Sequence, residues 1–432
     1  MARQRANLET IWRQIEQAGS IEAYIDGQLR EHGFLVERKA TDNMSARELT
    51  RYKDELKKEA AEKRKLRADA WKAHFTQHIV HLGDGVYWNE MDDWDKWDHE
   101  AAEERAAENE LPKLDKPKQL AEALGLTIPQ LRWLTYHREA ANRVHYRRFT
   151  ILKRDGTERP IWAPLPLLKK AQRWILRNVV ERLPTHGAVH GFVSHRSIRS
   201  NASIHRSSQI VLKMDLKNFF PTLTYRRVKG MFRKAGYREQ VATLLGLLCT
   251  ESPREIVEHE GKQVYVATGP RCLPQGAPTS PAITNAICLR LDQRLFGLAI
   301  KYGWRYTRYA DDMTFSLPLG HKGKPHLATM IGLVSRIVSE EGFRIHPDKT
   351  RIARKGGRQS VTGLIVNGTS TPRVPRKLRR QLRAAIHNLA SGKPLHDGES
   401  PATLRGRAAF VAMTNPTEGA KLLAQINQAA SK

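Results

Sequence analysis

Two adjacent carboxylates, Asp311 and Asp312, lie in the apolar and β-branched run Arg305-Tyr306-Thr307-Arg308-Tyr309-Ala310-Asp311-Asp312-Met313-Thr314-Phe315-Ser316. Neighbouring residues on a strand point to opposite faces, so both acids serve one site only if the chain turns at the pair. The pattern therefore predicts two short strands joined at 310–312. A third carboxylate, Asp215, ends the buried-strand pattern Ile210-Val211-Leu212-Lys213-Met214-Asp215. Gathering like charges is costly unless a cation neutralises them, and hard oxygen ligands suit Mg²⁺. Two divalent ions held by three such acids perform in-line phosphoryl transfer. An isolated Asp-Asp pair is more often an exposed acidic turn; Asp215 shifts the balance toward a site.

Other stretches fall around these acids in a fixed order. Phe149 to Pro164, with Asp155-Gly156 at its centre, reads as a β-hairpin. Asn201-Ala202-Ser203-Ile204-His205 lies in a segment rich in Ser, Arg and His, read as a loop apt for phosphate and sugar contacts. Phe219-Phe220-Pro221 follows Asp215, and core packing is the plain account of a Phe-Phe pair. Leu273-Pro274-Gln275-Gly276-Ala277-Pro278-Thr279-Ser280-Pro281 is stiffened by its prolines. Gly276 permits close backbone approach, and a helix is expected to start near Ser280. Val361-Thr362-Gly363-Leu364-Ile365-Val366-Asn367 reads as a strand, and Arg373 to Arg383 opens a basic helix with Leu378 and Leu382 on its apolar side.

Taken together, these motifs resemble those of retron reverse transcriptases. Tyr309-Ala310-Asp311-Asp312 is similar to the YxDD turn, Asp215 to the first metal-binding Asp of the palm, and LPQGAPTSP to the corresponding bacterial loop; Asn201 to His205 and Val361-Thr362-Gly363 match the narrower NAxxH and VTG patterns. The resemblance implies an α+β right-hand polymerase, with fingers, a palm built on an antiparallel sheet and a helical thumb, preceded by a mostly helical N-terminal region. It implies catalytic Asp215, Asp311 and Asp312, which with the Leu216 carbonyl hold two Mg²⁺ ions, Mn²⁺ being an alternative. Nucleotide contacts fall to Lys153, Arg159, Phe219, Phe220, Gln275, Gly276 and Lys349, with Phe220 as the steric gate against a ribose hydroxyl. Contacts to RNA or template fall to Asn201, His205, Thr362, Arg379, Arg380 and Arg383. The implied reaction consumes deoxynucleoside triphosphates and copies a cognate non-coding RNA from one of its own 2′ hydroxyls, leaving an RNA–DNA product. A role in anti-phage defence beside an effector protein is implied as well. The alternative is a group II intron-like or other bacterial reverse transcriptase without a dedicated RNA. Against an intron maturase, the segment after Asp312 is short for a further maturation or endonuclease region, and no ribonuclease H region is expected.

The elements that must position these residues follow from the whole chain. Over 432 residues, Lys and Arg number 73 against 45 Asp and Glu, a net +28 that suits a polyanion. With no long apolar run and no signal-peptide pattern, a cytoplasmic protein without membrane contact is expected. Cys249, Cys272 and Cys288 show no zinc spacing and read as reduced structural thiols. His74, His78 and His81 recur about a turn apart, but no Cys or acid accompanies them, which argues against zinc. Three regions are expected: a helical extension over 1–140, fingers and palm over 141–366, and a basic thumb over 367–432. Residues 84–110 hold eleven acids against Lys96 and Arg105, a solvated connector by default or a segment docked on a basic face.

Overall fold

The computed structural model describes residues 8–31, 39–89, 101–152, 156, 158–368, 371–396 and 398–431. Its packing divides the chain into two units, 1–74 and 75–432. The first holds α1 (Leu8–Ala18), α2 (Ile21–Glu31) and most of α3 (Ala46–Gln77). Ser45 caps α3, its backbone N–H and hydroxyl donating to Glu48 at 2.9 and 2.7 Å. No residue of α2 or α3 is buried, and α3 carries pairs such as Arg51 with Glu55 and Lys63 with Glu59 along its surface. It ends at Gln77, so His78 and His81 leave the helical face of His74.

The second unit opens with α4 (Ala102–Glu108), α5 (Pro117–Leu124) and α6 (Ile128–Thr135). Thr127 and Gln130 form a capping box at α6, and Gly125 ends α5 at φ +65°. Then come β1 (Ala140–Ala141), β2 (Tyr146–Leu152), β3 (Glu158–Pro164), α7 (Pro166–Asn178), α8 (Ile198–Ile204), β4 (Ser208–Asp215), α9 (Phe219–Thr222), α10 (Tyr225–Lys234) and α11 (Glu239–Cys249). Apolar on nearly every side, α11 is buried from Val241 to Cys249. β5 (Arg254–His259) and β6 (Lys262–Ala267) meet at Glu260-Gly261, both at positive φ as a primed hairpin turn requires. α12 (Ser280–Ile287), α13 (Leu289–Lys301), β7 (Arg305–Tyr309), β8 (Asp312–Pro318), α14 (Leu327–Glu340) and β9 (Arg351–Arg354) complete the centre. The sheet β7-β8-β4-β9 is antiparallel throughout.

One apolar core runs from Ile79 to Phe343 and contains Leu120, Leu131 and Leu134 together with Leu212, Phe315 and Val334. The boundary expected near 140 is therefore not a packing boundary. Residues from Ile79 onward join the same apolar core as the central sheet, and β1 pairs with β6. Part of the acidic segment, 90–100, lies outside the described residues.

The expected strand 361–367 is instead a tight hairpin of β10 (Ser360–Val361) and β11 (Leu364–Ile365). Thr362 and Gly363 sit at φ +44° and +85°, the two positive values of a type I′ turn. A second core joins Val361, Leu364 and Val366 to Leu382, Ile386, Leu404 and Ile426 of α15 (Arg376–Ala390), α16 (Pro401–Ala412) and α17 (Pro416–Ala430). Ala202 and Val211 belong to it too, so the C-terminal helices share packing with residues before 367. The three cysteines are buried free thiols. Among the described residues no helix is long and apolar enough to cross a membrane.

Candidate active site

Tyr309 pairs with Asp312, leaving Ala310 and Asp311 as a two-residue turn between β7 and β8. Ala310 takes φ +56°, a conformation that costs a residue with a side chain roughly 1–2 kcal/mol. The turn is held from three sides. Arg308 donates to the Ala310 carbonyl at 3.0 Å, and the Leu216 N–H donates to the Asp311 carbonyl at 3.0 Å. From below comes Gly191, where a Cβ would lie 2.8 Å from the Ala310 nitrogen. Asp215, at the end of β4, is the register partner of Asp312, so the two side chains share one face of adjacent strands. The three acids thus converge at one end of the sheet.

Two lysines answer them. Lys213, two residues before Asp215 and on the same face, reaches Asp312 at 3.0 Å, while Lys349 reaches Asp215 at 2.9 Å. Burial, and after it the Asp215 carboxylate, raises the pKa of Asp311. Asp312 is raised by burial too, against the pull of Lys213. With Asp215 and Asp312 each bonded to an ammonium, no three His, Cys, Asp or Glu side chains form a preassembled metal cluster among the described residues.

Beneath the turn lies a polar network that the sequence reading missed. Arg308 and Asp292 of α13 are both fully buried and joined by two bonds, Nε to Oδ1 at 2.8 Å and Nη2 to Oδ2 at 2.7 Å. Burial opposes the guanidinium charge, and Asp292 more than offsets it. Tyr306 donates to the same carboxylate at 2.7 Å, and Asn285 of α12 links Arg308 to the Gly191 carbonyl. One arginine thus connects two helices, a buried loop and the backbone of the Asp-Asp turn.

The chain matches the family model described as reverse transcriptase (RNA-dependent DNA polymerase) over residues 151–373. It is 51% identical to the Retron Mx162 reverse transcriptase of Myxococcus xanthus over 424 residues, 96% of this chain and 87% of that protein. It belongs to the retron reverse transcriptases. With the Retron Mx65 reverse transcriptase of the same organism it shares 43% identity, over 72% of this chain and 71% of the other. A slighter likeness, TM-score 0.40 at 11% identity over 65% of this chain and 56% of the other, is to a Candida albicans telomerase structure.

The enzyme is accordingly an RNA-directed DNA polymerase of the right-hand α+β class, and β7-β8-β4-β9 is its palm sheet. Around the acids, the expected residues divide. Phe220 is half-buried, whereas Phe219 is 3% exposed and packs in the core on Phe343 at 5.6 Å. The Gln275 carbonyl accepts from Trp162 N at 2.7 Å, and a Cβ on Gly276 would lie 2.8 Å from the Trp162 carbonyl, so this loop is fastened to β3. Arg159 is exposed on β3 opposite Ile151; Lys153 lies outside the described residues.

Asn201 and His205 are the main correction. The segment read as a loop is helix α8, capped by Ser197, and the two side chains are 1% and 0% exposed. The Thr307 hydroxyl donates to Asn201, so His205 Nε2 must donate to Thr307 at 2.7 Å and Nδ1 accepts from Ser316 at 2.8 Å. They brace the palm strands by bonding hydroxyls on the same sheet face that carries Asp312 and Asp215. Thr362 donates to the Ile198 carbonyl at 3.1 Å and so ties the β10–β11 hairpin to α8. On α15, Arg380 is exposed, while Arg379 and Arg383 bond Glu418 of α17 at 3.0 and 2.6 Å. The Ser197-x-x-Ser200 spacing was the sequence signal for α8; no spacing signals the Arg308–Asp292 pair.

Proposed function

We propose that this enzyme copies a cognate structured non-coding RNA into multicopy single-stranded DNA, starting from the 2′ hydroxyl of a guanosine in that RNA and leaving a covalent RNA–DNA product. The observation that carries the reading is the meeting of Asp215 with Asp312, in register, beside Asp311 in its braced turn. The donor set is hard oxygen, and Asp311 and Asp312 are raised in pKa by burial, which makes the cluster one that a dication relieves. Asp215, Asp311, Asp312 and the Leu216 carbonyl would hold two Mg²⁺ ions, or Mn²⁺ in their place. Bound there, the ions supply charge neutralisation at the attacking and leaving oxygens.

The chain's own residues do the rest. Lys349, bonded to Asp215 at 2.9 Å, stands to protonate the departing pyrophosphate. Arg159, with Lys153, meets the triphosphate, and the half-buried Phe220 ring lies under the sugar. Gln275 and Gly276 hold the nucleotide against the template, and Arg380, with Arg379 and Arg383, follows the duplex backbone independently of sequence. Asn201, His205 and Thr362 act on the RNA through the palm and hairpin they fix. The DNA product serves defence against phage together with a separate effector protein.

The test is the nucleic acid that copurifies with the protein. Sequencing should return one RNA joined to DNA through a 2′ linkage at a guanosine; RNA carrying no attached DNA would overturn the reading. Asp215→Asn, Asp311→Asn and Asp312→Asn should each abolish synthesis and leave RNA affinity nearly intact, and full primer extension by any of them would remove the metal assignment. Phe220→Ala should raise ribonucleotide relative to deoxynucleotide incorporation. An unchanged ratio would return Phe220 to the core.

A further inference from the structure

A pocket of about 430 Å³ opens between α6, the chain from Tyr136 to His145, and the start of β5. None of its lining residues lies on β4, β7 or β8. Its volume falls in the range of roughly 300–1,000 Å³ that takes a single small ligand. At one wall stands Trp133, 49% exposed, with its indole braced edge-on by His145 at 4.3 Å and by the His145 Nε2 bond to the Trp133 carbonyl at 2.8 Å. Burial lowers the pKa of His145, which favours the neutral form of the brace.

The charge of the pocket is one-sided. Among the described residues its lining holds one carboxylate, Glu251, which is 7% exposed and already held by Arg254 at 3.2 Å and Arg271 at 3.8 Å. The Arg254 guanidinium is itself committed to the carbonyls of Arg138, Glu139 and Tyr265. Arg132, Arg138 and Arg143 also line the pocket, and among the described residues no carboxylate pairs with any of them. Two are held in place: Arg132 and Arg138 lie 5.5 and 4.9 Å from the centroid of the Tyr136 ring. A half-exposed indole on a fixed wall, ringed by guanidinium groups without acidic partners, is a stacking platform with a phosphate rim. That combination recognises an unpaired nucleotide, through the π-face of any base and the charge of its backbone.

We propose that this pocket binds one unpaired nucleotide of the enzyme's RNA outside the polymerase cleft, the base on Trp133 and the flanking phosphates on Arg132, Arg138 and Arg143. The proposal rests on the reading of the protein as an enzyme that carries a structured RNA, and it supplies that RNA with an anchor that does not move as the template is copied.

The experiment uses the full-length protein and a short oligouridylate carrying 5-iodouridine, with the copurified RNA as second ligand. Irradiation should give an adduct on the peptide containing Trp133. Trp133→Ala should lose the adduct and weaken binding about tenfold, while Trp133→Phe keeps a stacking ring and most of the affinity. Arg138→Gln combined with Arg143→Gln should lower the slope of log affinity against log salt by about 1–1.5, as expected for two single-strand phosphate contacts. Thermal midpoints establish that each variant is folded. Adducts confined to the palm, unchanged affinity and slope in the folded variants, or a protein in place of RNA retained through these residues would each overturn the proposal. The oligouridylate arm is independent of any cognate RNA: absence of copurifying RNA would defeat the proposed function, whereas an unaffected oligouridylate would defeat the pocket alone.

Discussion

Two arginine–carboxylate clusters in this enzyme have the same chemistry and opposite surroundings. Under the catalytic turn, Arg308 and Asp292 are both 0% exposed. On the C-terminal helices, Arg379 and Arg383 share Glu418 with side chains 31%, 59% and 15% exposed. Breaking the first strands a charge in a low dielectric; breaking the second returns charges to water, where salt already screens them. The buried pair is therefore a structural commitment, and the exposed one can exchange its carboxylate for a phosphate.

The largest effect is expected at Asp292→Ala. An unpaired buried guanidinium should cost about 3–5 kcal/mol in denaturant unfolding, and primer extension should fall with it. Asp292→Leu combined with Arg308→Met separates the two losses. Well-packed apolar replacements should recover most of the stability, yet the Ala310 carbonyl would lack its donor, so extension should stay low. If the double variant regained full activity, the guanidinium would be a filler and not a positioning group.

A smaller effect concerns pH. Burial pushes the pKa of His205 down to about 3, against roughly 6.5 in an unfolded chain. The folded value lies below the unfolded one, so this contribution is complete above pH 6.5 or so. It is lost as pH falls, by up to about 1.4 kcal/mol per pH unit until near pH 3. His205→Asn should flatten the decline in thermal midpoint between pH 6.5 and 4, and an unaltered profile would place the acid sensitivity elsewhere.

The smallest effect is at Glu418→Gln, where unfolding should change by less than about 1 kcal/mol. Releasing Arg379 and Arg383 should meanwhile tighten RNA binding and steepen its salt dependence. A loss of several kcal/mol there would erase the contrast between the two clusters.

What the sequence disclosed follows the same division. The Asp-Asp turn, the strands that flank it and the apolar face of α15 follow from local rules: apolar and β-branched runs, and leucines one helical turn apart. The Arg308–Asp292 pair obeys no local rule. In a chain with 73 basic residues an arginine on a strand looks solvated, and its partner lies on another element. Asn201 and His205 were misplaced for a related reason. Ser, Arg and His suggested a loop, while the capping spacing that starts α8 and the Thr307 and Ser316 hydroxyls that receive its side chains were given too little weight. Likewise, charge density hid the division near 74, because apolar residues from Ile79 onward are scattered in sequence and meet only in the folded core.

The buried pair also constrains how such a chain can diverge. A protein whose whole stability is about 5–15 kcal/mol cannot readily pass through an intermediate that loses 3–5 of them. Arg308 and Asp292 are thus separated from any alternative pair by a valley that single substitutions do not cross, and Tyr306 and Asn285 deepen it by bonding the same two side chains. Glu418 and its arginines can be lost one at a time. Descendants of this sequence should retune their grip on nucleic acid many times over before they alter the floor beneath Ala310.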